Sequence, residues 1–384
     1  MNKFAFIIIT YDRPDALKRC FDSINSNIFN DKKADLIVSI DNSGKDDVLN
    51  VAKTFKWGHG NFYIKTFPEN LGLRKHVLTC MKYAEEYDAI FLIEDDIILS
   101  SSAFMYGSQA AEYYDSNESI AGISLYLFNK NWLRWGLDFE PFQTRYDTFF
   151  MRIAQSWGEV ITKKQWLKFK EWYEQNSVFV KDNNNVPAMN CWGDSSWLKY
   201  FTRYCILNDK YFVYPYVSLS TNCNGFGKHN RYSAQDYQTN LMNLKETYNF
   251  APFDNKTKTL VRYDEYMNPL FLEDILGTDS SNTSLDLWCT KRKEDLKDYV
   301  ITLGYYGNKY TRRCSLSLHP IELSLQKALD GDGIYVYKTS DIKNKKPKLY
   351  NLYKYSLRIS DWRKIKFFSS KLFRETLSKK LFKK

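Results

Sequence analysis

Along the first 127 residues, short apolar runs alternate with stretches in which apolar side chains recur every three or four positions. Phe4–Thr10 is a continuous apolar run, the pattern of a strand covered on both faces. Leu17, Cys20, Phe21 and Ile24 follow at i, i+3, i+4 and i+7 and predict an amphipathic helix, with Pro14 suited to its first turn. Asp35–Ile40 reads as a second strand, ending at Asp41-Asn42-Ser43-Gly44. Val48, Val51, Ala52 and Phe55 mark a second helix, and Asn61–Phe67 a third strand. After Pro68-Glu69-Asn70-Leu71-Gly72, a stripe of Leu73, Val77, Cys80, Met81 and Ala84 predicts a third helix. Ala89–Ile93 is a fourth strand that runs directly into Glu94-Asp95-Asp96, and a helix over Ser102–Tyr114 and a strand over Ser119–Leu125 complete the series.

Strands and helices in alternation predict an α/β fold: a mostly parallel, Rossmann-like sheet with right-handed crossovers and helices on both faces. Ligands of such sheets bind beyond the carboxyl ends of the strands. Asp12, Arg13, Asp41, Asn70 and Glu94–Asp96 each follow a strand, so the topology gathers them on one edge. Beyond residue 127 the alternation stops. Residues 128–250 are rich in Trp and Tyr, with helices expected within Lys163–Tyr173 and after Asp194. Residues 251–340 hold polar turns and short apolar pieces and read as an extension of unclear role. Residues 341–384 form a basic tail.

The tail changes the meaning of the charge. The chain has a formal net charge of +10, but residues 341–384 carry 15 Lys or Arg against 3 Asp or Glu, leaving −2 for residues 1–340. A nucleic-acid enzyme needs its positive charge on the folded body, so no nucleic-acid partner is expected. The seven cysteines are odd in number and lack a C-x-x-C spacing, which fits reduced thiols better than a disulfide framework or a zinc site. No signal peptide and no apolar run of about 18 residues is visible, and a cytoplasmic location is expected.

Three consecutive acids after a buried strand call for an explanation. Held together, like charges raise one another's pKa, and a divalent cation such as Mg²⁺ or Mn²⁺ relieves the repulsion while leaving coordination positions for substrate phosphates. A solvated acidic loop, or acids at the start of the helix near Ser100–Ser102, explains the same triplet.

The segments Ile7-Ile8-Ile9-Thr10-Tyr11-Asp12-Arg13-Pro14, Ser39-Ile40-Asp41-Asn42, Asn70-Leu71-Gly72-Leu73-Arg74 and Phe91-Leu92-Ile93-Glu94-Asp95-Asp96 resemble GT-A-fold glycosyltransferases. The resemblance is to the family 2 enzymes and especially to the N-acetylglucosaminyltransferase I group, whose D-x-D motif has an E-D-D version. It covers residues 1–127 well and 128–235 in part. It implies the nucleotide-sugar half in residues 1–127 and an acceptor and catalytic half in 128–250. It also implies a nucleotide-diphosphate sugar as donor, a UDP-sugar being favoured, and Mn²⁺ or Mg²⁺ as cofactor. Arg13, Asp41 and His76 would lie near the nucleotide base, Glu94 and Asp95 near the ribose and sugar phosphate. Asp96 would be the metal ligand, and Thr10, Asn70 and Arg74 would complete the donor site. The local alternatives are an Arg13 pair with Asp12 or Asp15, an Asx turn at Asp41, and a surface position for His76.

Similar enzymes place a Trp-Gly segment beside the sugar and an acid at the start of a helix as base. By that likeness Trp157, Gly158 and Trp192 are acceptor-side candidates. Asp194 is the candidate base, with Glu159 as second choice and a helix N-cap as the structural alternative for Asp194. Gly225, Gly227, Lys228 and His229 form a Gly-rich loop expected near the donor phosphates, where a plain turn is the alternative. In the tail, Trp362, Ile365, Phe368, Leu372 and Phe373 share one helical face, and Arg363, Lys364, Lys371 and Arg374 lie largely opposite. Such a helix suits an anionic membrane surface, and packing on the protein body is the alternative.

The functional expectation is an inverting, metal-dependent glycosyltransferase acting on a glycan or lipid-linked glycan. It would lie on the cytoplasmic face of the inner membrane and serve bacterial lipopolysaccharide or capsule synthesis. Two rivals are a sugar nucleotidyltransferase, which normally has a Gly-rich loop after the first strand where this chain has Tyr11-Asp12-Arg13-Pro14, and a non-catalytic, membrane-associated glycan-binding protein on the same fold.

Overall fold

A computed structural model describes residues 3–134, 137–223, 237–254, 260–271 and 278–356, together with residues 363, 366, 369 and 370. The chain divides into two compact units, one of Met1–Asn129 with Pro141–Leu272, the other of Lys130–Glu140 with Glu273–Lys384.

The alternation expected over the first 127 residues is present. In chain order the elements are β1 (Phe4–Thr10), α1 (Pro14–Asn25), β2 (Ala34–Ile40), α2 (Asp47–Thr54), β3 (Phe62–Thr66), α3 (Leu73–Met81), β4 (Ala89–Glu94), β5 (Ile97–Leu99), α4 (Ala103–Tyr114) and β6 (Ile120–Ser124). Strands β3, β2, β1 and β4 lie side by side and run parallel. All seven residues of β1 are buried, as its unbroken apolar run requires. Alternate side chains serve opposite faces. Phe4, Phe6 and Ile8 join Leu17, Phe21 and Ile24 of α1, Val48 of α2 and Phe104 of α4 in one core. Ile7 and Ile9 are buried toward the other face, where α3 packs against β1 and β4.

The remainder of the sheet departs from simple alternation. Strands β7 (Thr148–Met151), β8 (Glu159–Thr162), β9 (Tyr211–Pro215) and β11 (Arg262–Tyr263) extend it to the order β11-β7-β9-β6-β8-β4-β1-β2-β3. Strand β8 is antiparallel and lies between β4 and β6, so these two parallel strands never meet. Helix α5 (Lys163–Gln175) follows it, started by a capping box in which the Thr162 hydroxyl accepts from Gln165 N and the Gln165 amide oxygen accepts from Thr162 N. Helix α6 (Leu198–Leu207) begins four residues after Asp194, with Trp197 at the N-cap position. Asp194 is therefore not that helix's cap. Residues 251–272, read from sequence as part of the extension, run with the first unit, where β11 pairs with β7.

The second unit is built on four strands, β12 (Thr283–Leu285), β13 (Tyr299–Thr302), β14 (Arg312–Ser315) and β15 (Gly333–Lys338), in the order β12-β13-β15-β14. Its core includes Val300, Tyr306, Tyr335, Tyr337 and Ile342. Arg134 ties the 130–140 segment into this unit by donating to the carbonyls of Trp288 and Cys289. Among the described residues, no helix is long and apolar enough to cross a membrane.

The close fit of α4 against the sheet gives a direct test. A Cβ on Gly107 would fall 2.8 Å from Val160 Cγ2 and closer still to the Phe91 ring. That ring is itself wedged between Phe6 and Phe104. Gly107→Ala is expected to lower unfolding stability by about 1–3 kcal/mol through overpacking, in spite of alanine's better helix propensity. Urea unfolding measures it, and an equal or higher stability would show that α4 does not sit against β4 and β8 in this way.

Candidate active site

The carboxyl ends of β1, β2 and β4 open into a cavity of about 470 Å³. Of the expected donor residues, Thr10, Arg13, Asp41, Asn70, His76, Glu94, Asp95 and Asp96 line it. Arg74 does not. It turns to α6, where its guanidinium donates to the Tyr200 hydroxyl and lies 5.3 Å from the Tyr200 ring centre.

At the end of β4 the three acids have different surroundings. Asp95 is 1% exposed and both of its oxygens are engaged. Oδ2 accepts from the Thr10 hydroxyl at 2.6 Å, and Oδ1 accepts from Arg13 Nη2. Arg13 also donates through Nη1 to Asp96 Oδ2 at 2.9 Å. The guanidinium therefore spans two carboxylates of the triplet rather than pairing with Asp12 or Asp15. Burial by itself would lower the Arg13 pKa, but Asp95 and Asp96 hold it above its ordinary value. Burial wins over Arg13 and Thr10 at Asp95, whose carboxyl is pushed up to about 6. Glu94 is pushed up to about 8, first by desolvation and then by Asp96 and Asp95, against the pull of Arg13.

Asp96 Oδ1 is buried and has no hydrogen-bond partner among the described residues. A carboxylate oxygen in that state on a cavity wall suits a hard divalent cation, which takes one or two protein carboxylates and fills its other positions from phosphates and water. The donor set therefore fits Mg²⁺ or Mn²⁺ at Asp96. No cluster of three or more His, Cys, Asp or Glu side chains that would hold a metal by protein alone is present among the described residues.

The loops after β2 and β3 are tied to each other by side chains. Asp41 Oδ1 accepts from the backbone N–H groups of Asn42 and Leu71, and its Oδ2 from that of Gly72. The carboxylate thus secures the chain entering α3. The Asx turn expected at Asp41 sits one residue later, where Asn42 Oδ1 accepts from Gly44 N. Asn70 Nδ2 donates to the Asn42 carbonyl at 2.9 Å. His76 is buried rather than on the surface, with Nε2 2.7 Å from Ser39 Oγ and its ring edge-on to Phe67. Burial lowers its pKa, with Asp41 opposing, so the imidazole is neutral at pH 7.

On the other side of the triplet, Trp157 lines the cavity between Tyr126 and Tyr237, with ring centres 4.7 and 4.6 Å away. Gly158 follows at φ +94°, where a Cβ would crowd Ser220 at 3.3 Å. Strand β10 (Ser220–Asn222) pairs with β5 in a two-stranded ribbon, and Cys223 N donates to the Asp96 carbonyl at 2.7 Å. Asn222 and Ser195 also line the cavity. Neither was singled out from sequence, because a single Asn at a strand end and a Ser within a loop carry no pattern. Trp192 and Asp194 lie in a segment held by the fully buried Lys199, whose Nζ reaches the Gly193 carbonyl at 3.0 Å and Asp194 Oδ1 at 3.5 Å. The Asp194 carboxylate itself is almost wholly exposed. Gly225, Gly227, Lys228 and His229 lie outside the described residues.

Glu159, the second candidate base, is enclosed in the sheet between Leu92 of β4 and Ser124 of β6. Its side chain has no exposure and neither oxygen has a partner among the described residues. Burial, and then Glu94, push its pKa well above the carboxylate range. With no exposure and no place on the cavity wall, this carboxyl does not meet an acceptor hydroxyl, so the base assignment to Glu159 is withdrawn.

A mostly parallel sheet covered on both faces, with a carboxylate triplet at the end of its fourth strand, is consistent with the GT-A fold. Residues 5–171 match the family model "Glycosyl transferase family 2", so the resemblance to family 2 glycosyltransferases holds over that stretch, from β1 into α5. The family model is of family 2 as a whole and does not single out the narrower N-acetylglucosaminyltransferase I group. Similar solved structures include S. aureus TarS 1-349 in complex with UDP-GlcNAc, at 13% identity and TM-score 0.39, covering 59% of this chain and 60% of that one. TarS 1-349 in complex with UDP has 16% identity and TM-score 0.36, covering 55% and 60%. The mannosyltransferase PcManGT from Pyrobaculum calidifontis, in complex with GDP-Man and Mn²⁺, has 11% identity and TM-score 0.31, covering 49% and 50%. The chain thus spans 60% or less of the length of each. No curated protein matches the chain.

The state of Glu159 predicts a pH effect. Its folded-state pKa lies well above the unfolded value, so its contribution to stability is complete below about pH 4.5 and declines as pH rises, by up to about 1.4 kcal/mol per unit. Glu159→Gln removes that titration. The variant is expected to be more stable than the wild type at pH 8 and closer to it at pH 5, with any transferase activity retained. Urea unfolding at the two pH values measures this, and a Gln variant no more stable at pH 8 would mean that Glu159 ionises in the fold.

Proposed function

We propose that the protein transfers a sugar from a nucleotide-diphosphate sugar to a hydroxyl of a glycan or lipid-linked glycan, with inversion at the anomeric carbon. The observation that carries this reading is the buried Oδ1 of Asp96, which has no partner among the described residues, on the wall of a cavity of about 470 Å³ at the strand ends. That volume suits a small organic ligand such as a nucleotide sugar. The nucleoside end belongs beside Asp12, Asn70 and His76, and the diphosphate beside Arg13 and Asp96. The acceptor belongs on the side of Trp157 and Ser195.

Asp96 would hold Mn²⁺ or Mg²⁺, which when bound supplies positive charge to the departing diphosphate. Arg13, already fixed by Asp95 and Asp96, adds a permanent cation at the same corner. On the acceptor side, Asp194 is the group assigned to take the proton from the attacking hydroxyl. The Lys199 ammonium holds its segment in place, and the next residue, Ser195, reaches the cavity. Inversion needs one such base and no covalent intermediate. A place at an anionic membrane surface, next to a lipid-linked acceptor, rests on the basic, partly apolar composition of residues 341–384. The apolar face there, Trp362, Ile365, Phe368, Leu372 and Phe373, lies outside the described residues.

Two variants test the assignment. The wild type should be stabilised in a thermal-shift panel of UDP-, GDP-, CMP- and dTDP-sugars with Mn²⁺ by at least one of them. Asp96→Ala should lose that stabilisation, and its persistence would remove the metal–diphosphate site. Asp194→Asn should keep donor binding while transfer falls by about 10²–10⁴-fold. Full activity in that variant would place the base elsewhere, and loss of folding would make Asp194 a structural residue.

A further inference from the structure

Asn222 has no role in the transfer as proposed, although its surroundings are unusual. Its side chain is only 5% exposed, and Oδ1 is buried without a hydrogen-bond partner among the described residues. A buried amide oxygen left unpaired costs free energy that the fold does not recover by itself, so a partner from outside the chain is the natural complement. Asn222 also lines the cavity. Its backbone is fixed, because β10 pairs with β5 and places Asn222 opposite Ile97, next to the acid triplet. The residue after it donates to the Asp96 carbonyl. Two residues before it, the Ser220 hydroxyl donates to the Trp157 carbonyl at 2.5 Å. Asn222 is thus held between the Asp96 corner and the aromatic wall of Trp157 and Tyr237.

The position along the cavity suggests what it meets. The loops that follow β2 and β3 carry Asp41 and Asn70, α3 carries His76, β1 leads to Arg13, and β4 ends in the acids. Beyond them, on the β8 and β6 side, come Trp157 and the β10 ribbon. A nucleotide sugar laid with its base at His76 and its diphosphate at Asp96 has its hexose on this last side. A hexose offers hydroxyl donors and an apolar C–H face. An amide whose oxygen is unpaired among the described residues, beside an indole and a phenol ring, is complementary to both.

We propose that Asn222 binds a polar substituent of the transferred sugar, with Trp157 and Tyr237 packing on its ring, and that Asn222 is a specificity residue for the sugar rather than for the nucleotide. This deepens the preceding reading and rests on it. Isothermal titration of the full chain with Mn²⁺ tests it, using matched probes: UDP against UDP-GlcNAc and GDP against GDP-mannose. Whichever pair the wild type binds is carried forward to Asn222→Ala. The nucleoside diphosphate should bind within about twofold of wild type, and the nucleotide sugar about tenfold more weakly, as expected for loss of one hydrogen bond to a buried group. Equal weakening of both probes, or of neither, would overturn the assignment. If Asn222→Ala does not fold, Asn222→Ser, which keeps a small polar group on the ribbon, is read by the same ratio and the same criterion. A wild type that binds neither nucleoside diphosphate and is stabilised by no sugar of the thermal-shift panel is a distinct result. It would sink the transferase reading itself, and this assignment with it.

Discussion

The constraint on which the site depends is the placing of three adjacent carboxylates at the end of a buried strand. Like charges in a poorly solvated corner repel, and each costs more to ionise than it would in water. The chain answers with one guanidinium. Arg13 donates to both Asp95 and Asp96, and Thr10 takes the remaining oxygen of Asp95. This solution is possible because β1 and β4 are neighbours, with Ile9 opposite Glu94. Two residues that leave β1 therefore meet the residues that leave β4. Pro14, at the first turn of α1, sets where the chain bends just after Arg13. Asp96 is left with one oxygen outside this network, and that asymmetry separates Asp96, the proposed metal ligand, from Asp95, whose two oxygens are both engaged.

The rim of the cavity is fixed in the same manner, by side-chain oxygens that take up backbone donors from a different loop. Asp41 gathers the N–H groups of Leu71 and Gly72, so the loops after β2 and β3 are tied to each other. The β5–β10 ribbon does the equivalent on the opposite side, carrying Asn222 to the triplet. The buried Lys199 holds the carbonyl of Gly193 and so places the segment of Asp194. Each of these contacts spends a polar group on positioning. Asp41 shows the consequence: a residue that looks like a ligand contact in the sequence has both carboxylate oxygens engaged by the backbone.

Much of the first unit is legible in the order of its residues. Unbroken apolar runs such as Phe4–Thr10 need cover on both faces, and the stripe Leu17, Cys20, Phe21, Ile24 needs a helix with one buried side. These are local demands, met within a dozen residues. The same logic places Arg13, Asp41 and Glu94–Asp96 on one edge, because residues that follow parallel strands share an edge whatever their separation in sequence. It fails at Asp194, where an acid before a helical pattern reads as its start and α6 begins four residues later. It fails also at Arg74, which follows the right loop but turns to Tyr200.

What only the tertiary structure decided is which groups meet. The short run Glu159–Thr162 has the composition of a strand, yet nothing near it in sequence says that it enters antiparallel between β4 and β6. That insertion turns Glu159 from a candidate base into an enclosed carboxyl whose pKa burial raises. Asn222 acquired its interest in the same way, from burial and from an amide oxygen with no partner among the described residues. Periodicity determined the elements and the edge on which the acids lie, because the need to bury an apolar face is a property of a short segment. The charge state, partner and exposure of each polar group were left to the fold, because these depend on chain brought in from tens of residues away.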